Sequence, residues 1–194
     1  MSQVNQIQGK VIIFSAPSGA GKTTIVHALL KEIPELAFSI SACSRLPREN
    51  EKDGKDYFFI GVDQFKNQIE QDQFIEWEEV YKNHYYGTLK SELSRIWSEA
   101  KTVVFDVDVQ GGINLKAKFK STALSVFVMP PNIEVLEHRL RMRKTETEEK
   151  IKQRIEKAEY EMKLSNEFDV VINNDNLQNA IDEAKKLIHN FIRQ

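Results

Sequence analysis

The stretch Lys10 to Thr24, KVIIFSAPSGAGKTT, constrains this chain more than any other: an apolar run flows into a glycine-rich turn that closes on Gly21-Lys22-Thr23. Successive backbone N–H groups of such a turn point inward, glycine permits close approach to an anion, and the following helix starts there with its positive dipole end. Residues Pro17, Ser18, Gly19, Ala20, Gly21, Lys22, Thr23 and Thr24 therefore read as a polyphosphate cradle. Lys22 would bridge the β- and γ-phosphates as a point charge, and the Thr23 hydroxyl would take one position on Mg²⁺. The spacing G-x-x-x-x-G-K-[ST] is met except that Ala16 stands for the first glycine, acceptable where its φ stays negative. The plainer alternative is a strand-turn-helix connection without a ligand. Either way the motif names a nucleotide, not a reaction.

Other apolar runs follow: Lys101 to Asp106, Ala123 to Met129 and Asp169 to Ile172. Near-continuous apolarity suits strands covered on both faces, as in a parallel sheet. Helical patterns alternate with them at Lys22 to Glu32, Ser91 to Ala100 and along the C-terminal segment from Leu177 to Phe191. The expected fold is a doubly wound α/β core with a parallel sheet, built from residues 1–37, 90–130 and 166–194. Residues 38–89, with strand signals at Phe38 to Ser41 and Tyr57 to Ile60 and a helix at Asp63 to Gln71, read as an inserted α/β lobe. Residues 131–165 are densely charged, with Pro131 opening a helix; they read as a helical lid or as a solvated surface hairpin.

Composition sets the outer limits. A chain of 194 residues, 41% hydrophobic, suffices for one compact core with such insertions. A formal net charge of −2 argues against broad nucleic-acid binding. The polar N-terminus, the lack of a bilayer-length apolar run and the lone Cys43 predict a cytoplasmic protein without a membrane partner. Nothing in the residues points to a protein partner.

Asp106 and Asp108, two apart at a strand end, would face the ligand crevice together, with Asp106 on the metal side, through water; ordinary loop solvation is the other reading. Gln110-Gly111-Gly112 reads as a turn leaving the crevice. Arg45 and Arg48 flank Pro47, so that both forks could converge on one phosphate. Arg139 and Arg143 share a helical face while Arg141 falls off it, and Arg154 could join from a second lid helix. No Ser-His-Asp set is visible and the four histidines lack metal-ligand spacing. Without an obvious general base, the acceptor would be one already ionised, such as a nucleoside monophosphate.

Taken in order, SAPSGAGKT, SISACSRLPR, GKDYFF, FIEW, YYGT, FDVDVQG, MPP, RLRMR and INND resemble the guanylate kinase family over nearly the whole chain. The resemblance implies that Arg45, Arg48, Tyr57 and Tyr86 hold the phosphate of GMP or dGMP. It implies that Glu76 accepts from guanine N1–H and the exocyclic amine, that Ser41 and Thr88 donate to O6, and that Asp108 lies near the amine. Adenine presents an unprotonated N1, so a carboxylate there would face a lone pair. Arg139, Arg143 and Arg154 would clamp the phosphoryl group moving from ATP, with Arg143 beside the adenine ring and Asn173 at its edge. Cys43-Ser44, Asn50, Met142, Lys144 and Asn174 depart from the family's pattern, and Asn174 receives no role. Two competing functions are a non-catalytic phosphopeptide-binding module of the same fold, against which Gly19, Gly21, Lys22 and Thr23 argue, and a kinase for another monophosphate, against which Ser41, Glu76 and Thr88 argue.

Overall fold

The computed structural model describes residues 9–142 and 147–194. The chain runs β1 (Val11–Ser15), α1 (Lys22–Glu32) and β2 (Leu36–Phe38), then leaves the core for β3 (Ala42–Cys43), β4 (Phe58–Phe59), α2 (Gly61–Glu70), β5 (Phe74–Tyr81) and β6 (His84–Leu89). It returns through α3 (Lys90–Ser98), β7 (Thr102–Val107), α4 (Val109–Phe119) and β8 (Ala123–Met129). Helices α5 (Ile133–Met142) and α6 (Glu148–Lys163) precede β9 (Val170–Asn173) and α7 (Leu177–Arg193).

Five strands form a parallel sheet in the order β2-β7-β1-β8-β9. Side chains alternate across a strand, so the central one must be apolar on both faces. Ile12 and Phe14 pack with Ile25 and Leu29 of α1 and Ile181 and Ile188 of α7. Val11 and Ile13 pack on the opposite face with Leu93 and Ile96 of α3 and Leu115 and Phe119 of α4. Burying such side chains contributes about 1.5–3 kcal/mol each, which anchors β1 and fixes where the turn after it opens.

The inserted lobe carries a four-stranded mixed sheet, order β4-β3-β6-β5. Its buried centre is small: Ala42, Phe65, Phe74 and Tyr85, with Phe65 stacked on Phe74 at 4.4 Å between ring centroids.

Several expectations need correction. The strand signal at Phe38 to Ser41 is divided: Phe38 ends β2, an edge strand of the core, and Ser41 precedes β3, so a lobe boundary at 38 cuts a core strand. Three residues are too few to show a period; pairing with β7 makes them a strand. The apolar pattern does not reveal the β5/β6 hairpin, because Glu76 and Glu78 occupy the positions that face the cleft and break its alternation. Gln110-Gly111-Gly112 is not a turn but the first turn of α4, capped by Asp108, whose Oδ1 accepts from Gly111 N at 2.8 Å. Glycine is needed at 112 for space, since a Cβ there would lie 2.1 Å from Ser15 Oγ. Pro131 lies before the cap of α5: Asn132 Oδ1 accepts from Val135 N at 2.8 Å, and the helix begins at Ile133.

Candidate functional site

The strand ends of β1 and β7, the lobe and α6 enclose a cleft of about 330 Å³. One wall is the turn after β1. Gly19 and Gly21 have φ of 96° and 95°, while Ala16 keeps out of the left-handed region and is buried. Gly21 is required twice over, because a Cβ there would also meet Asn174 Nδ2 at 2.3 Å. That amide is buried and donates to Ala20 O at 2.7 Å, fixing the outer side of the turn. Asn174, given no role from sequence, is thus the turn's main buttress; only the return of β9 beside β8 brings it there. Arg139 Nη1 donates to the same Ala20 carbonyl at 3.3 Å, and its Nη2 to Asn174 O at 3.5 Å. In this conformation Arg139 braces the turn from behind instead of facing the cleft.

No side chain caps α1, which leaves its first N–H groups for an anion. Lys22 forms an ion pair with Asp106 Oδ1, and Thr23 Oγ1 donates to Asp106 Oδ2 at 2.8 Å. Burial lowers the Lys22 ammonium to about 8, opposed by the negative charges of Asp108 and Glu161. One hydroxyl and one carboxylate oxygen on adjacent strand and helix ends form a hard-oxygen pair suited to Mg²⁺, an ion that keeps several of its waters. Among the described residues no cluster of three or more His, Cys, Asp or Glu could hold a metal, so any ion here would rest on this pair, water and phosphate.

On the opposite wall, Arg45 and Arg48 both face one carboxylate, that of Glu51. Arg45 grips Glu51 through Nη1 and Nη2 at 2.6 and 2.7 Å, while its Nε donates to Tyr86 Oη at 3.0 Å. The guanidinium also lies 5.1 Å from the Tyr57 ring centroid. Glu51 accepts the backbone N–H of Arg48 at 2.8 Å, and the Arg48 guanidinium, 61% exposed, stands 3.9 Å away. Hydrogen bonds from Arg45 hold the Glu51 carboxyl below its usual range. Glu51 was not singled out from sequence; the structure brings it there, where a turn from Arg48 to Glu51 closes with Glu51 N donating to Arg48 O at 3.0 Å.

At the far end Glu76 lies opposite Thr88 in the hairpin and accepts its hydroxyl at 2.9 Å. The carboxylate is 7% exposed; burial, with help from Asp108, raises it to about 7 against the lowering effect of the Thr88 bond. Ser41, Arg48, Tyr57, Glu76 and Tyr86 line this half, Asp106 and Asp108 the floor, and Arg154 of α6 reaches the turn, donating to Ser18 Oγ at 2.7 Å. Pro17, Ser18, Gly19, Gly21, Lys22, Thr23 and Thr24 line the other half. Ala20, Arg45, Thr88 and Arg139 stand behind the lining, and Asn173 is exposed at the end of β9. Arg143 and Lys144 lie outside the described residues. Lys157 and Glu161 also line the cleft and were missed. Their offsets of three and seven from Arg154 put all three on one face of α6, a signal the sequence did contain. Burial raises Glu161 to about 7.

Comparison with known proteins agrees with this arrangement. The family model described as Guanylate kinase matches residues 8–191. A guanylate kinase of Bacteroides thetaiotaomicron is 50% identical over 191 residues, covering 98% of this chain and 94% of the relative. One from Porphyromonas gingivalis is 47% identical, covering 94% of this chain and 98% of the relative. The crystal structure of guanylate kinase from Anaplasma phagocytophilum superposes with a TM-score of 0.77 at 25% identity, covering 93% of this chain and 85% of that one. A cradle for polyphosphate facing a carboxylate-lined acceptor lobe, matched along nearly its whole length, places the chain in the guanylate kinase family.

Proposed function

We propose that the family's reaction, transfer of the γ-phosphoryl group of MgATP to GMP and also dGMP, runs in this chain across the cleft between the turn after β1 and the lobe. The observation that carries this reading is the opposition of the two ends: Lys22 on one side and buried Glu76 on the other line a single cleft. ATP would lie with its phosphates on the amides of residues 17–23 and on Lys22. The Lys22 and Thr23 contacts to Asp106 are then exchanged for phosphate and metal. Thr23 and Asp106 would hold Mg²⁺, in part through water, and the bound ion would neutralise phosphate charge.

GMP would enter the lobe with its phosphate at Arg48, Tyr57 and Tyr86. Arg45 orients Tyr86 from behind and is itself aimed by Glu51. Glu76 accepts from guanine N1–H and the 2-amino group, Ser41 and Thr88 serve O6, and Asp108 stands beside the amine. The acceptor phosphate is already anionic, so transfer needs alignment and charge stabilisation more than proton abstraction. Arg154, already on the turn, would meet the charge that develops between the nucleotides, together with Arg139 and Arg143 from the lid; Arg143 and Asn173 would border the adenine. No described helix is long and apolar enough to cross a membrane, and a reducing cytoplasmic setting suits the single buried thiol of Cys43.

A coupled assay with ATP against GMP, dGMP, AMP, UMP and CMP tests the reading. Turnover confined to GMP and dGMP is expected. Turnover with AMP or a pyrimidine at comparable kcat/KM would overturn the acceptor assignment, and phosphopeptide binding without turnover would replace the enzyme by a binding module.

A further inference from the structure

Helix α6 grips both halves of the cleft from one face. Arg154 takes the donor side through Ser18. One turn on, Lys157 Nζ stands 3.8 Å from Asp108 Oδ2 on the core, 3.5 Å from Glu161 Oε1 on its own helix, and 5.6 Å from the ring centroid of Tyr81 in the lobe. Lid helix, core and lobe therefore meet at this one ammonium. Asp108 is well placed to take it: Oδ1 is committed to the N-terminus of α4, which leaves Oδ2 for Lys157.

The surroundings are otherwise acidic. Glu76, Glu78, Asp108 and Glu161 all line the cleft. Among the described cations that line it, Lys22 also acts on Asp108 and Glu161 but is held in the phosphate turn by Asp106, whereas Lys157 Nζ pairs with both carboxylates directly, at 3.8 and 3.5 Å. Like charges in a partly dry cleft repel, so bringing Glu161 over Glu76 and Asp108 without a cation between them would push α6 away from the acceptor half.

We infer that Lys157 is a positioning residue for the acceptor: by pairing with Asp108 and Glu161 it seats α6 over the guanine end of the cleft, so that its loss weakens GMP and leaves ATP nearly untouched. The inference rests on the ATP:GMP reading above. Lys157→Met keeps the aliphatic stem and removes the charge; Lys157→Arg keeps both.

The experiment measures kcat, KM for each nucleotide and the GMP Kd by calorimetry for wild type and both variants. Lys157→Met should raise KM and Kd for GMP about fivefold, the size of a partly exposed ion pair. Its kcat and KM for ATP should stay within about twofold, and Lys157→Arg should restore GMP. Adding Glu161→Gln to Lys157→Met should recover part of the loss, because the unpaired carboxylate is then gone. An unchanged GMP Kd in Lys157→Met, an equal loss for ATP and GMP, or failure of Lys157→Arg to restore binding would each overturn it. Should Lys157→Met melt early, Lys157→Arg and Glu161→Gln decide through the same GMP Kd. Wild-type inactivity toward GMP would instead sink the parent reading, which separates the two failures.

Discussion

The two halves of the cleft are built on opposite principles. One half is a single contiguous turn that presents backbone amides to the cleft, braced by the largest buried cluster among the described residues through Ala16 and Ala20. The other half is assembled from side chains on and beside several strands, Ser41 before β3, Tyr57 before β4, Glu76 on β5 and Tyr86 and Thr88 on β6, over a small buried core. Amides in a rigid turn bind any polyphosphate and give positioning; side chains on a small sheet give selectivity and can yield to closure. On the proposed reading, chemistry and specificity divide between these two halves, with α6 reaching both.

The severest test of that division is Lys22→Ala. We expect kcat to fall by about 10²–10³ while the GMP Kd, read by calorimetry, is unchanged. A loss of GMP binding as large as the loss of kcat would show the halves are not separable.

Next comes Glu76→Gln, which should lower kcat/KM for GMP by about two orders of magnitude, the cost of removing a buried charged partner, and leave KM for ATP alone. Glu76 also predicts a pH dependence. Its carboxyl titrates near 7 in the free protein, above its ordinary 4.5. The native state therefore holds an extra proton between those values, and this group's contribution to stability is full below the unfolded pKa and lost as pH rises through about 7. Guanine requires the carboxylate, so GMP binding should release a proton, and KM for GMP should fall severalfold from pH 6.5 to 8. That window stays above the phosphate's own ionisation near 6. Glu76→Gln should flatten the profile; a profile that persists in the variant would assign it elsewhere.

Glu51→Gln should have a smaller effect. Losing the charge that aims Arg45 should reduce kcat/KM for GMP about tenfold without moving KM for ATP. An equal fall for both nucleotides would place Glu51 in folding rather than in the acceptor site. Mildest for substrate selectivity is Asn174→Ala, which removes the shorter bond to Ala20 O and leaves that carbonyl to Arg139 alone, at a cost of about 0.5–1.5 kcal/mol. The melting temperature should drop by several degrees in a chain of this size, with the GMP-to-AMP preference intact. A changed preference would mean the donor wall also reads the base.

Lys22, Thr23 and the strand before them were legible because a phosphate cradle is local: consecutive residues make it, and spacing alone reports it. The α/β alternation was equally plain, since strands buried on both faces carry unbroken apolar runs. Family resemblance supplied Glu76, Tyr57 and Tyr86, but not that Glu76 sits within β5 opposite Thr88, because cleft-facing carboxylates erase the alternation that marks a strand. Glu51, Asn174, the pairing of Lys157 and the posture of Arg139 came from the tertiary structure. Each acts through a partner distant in sequence or across a turn, as Asn174 does on Ala20 and Lys157 on Asp108. Sequence spacing determines what one element can present along its own length. Which elements face each other, and which carboxylate therefore meets which cation, is decided only when the sheet order β2-β7-β1-β8-β9 brings their ends around one cleft.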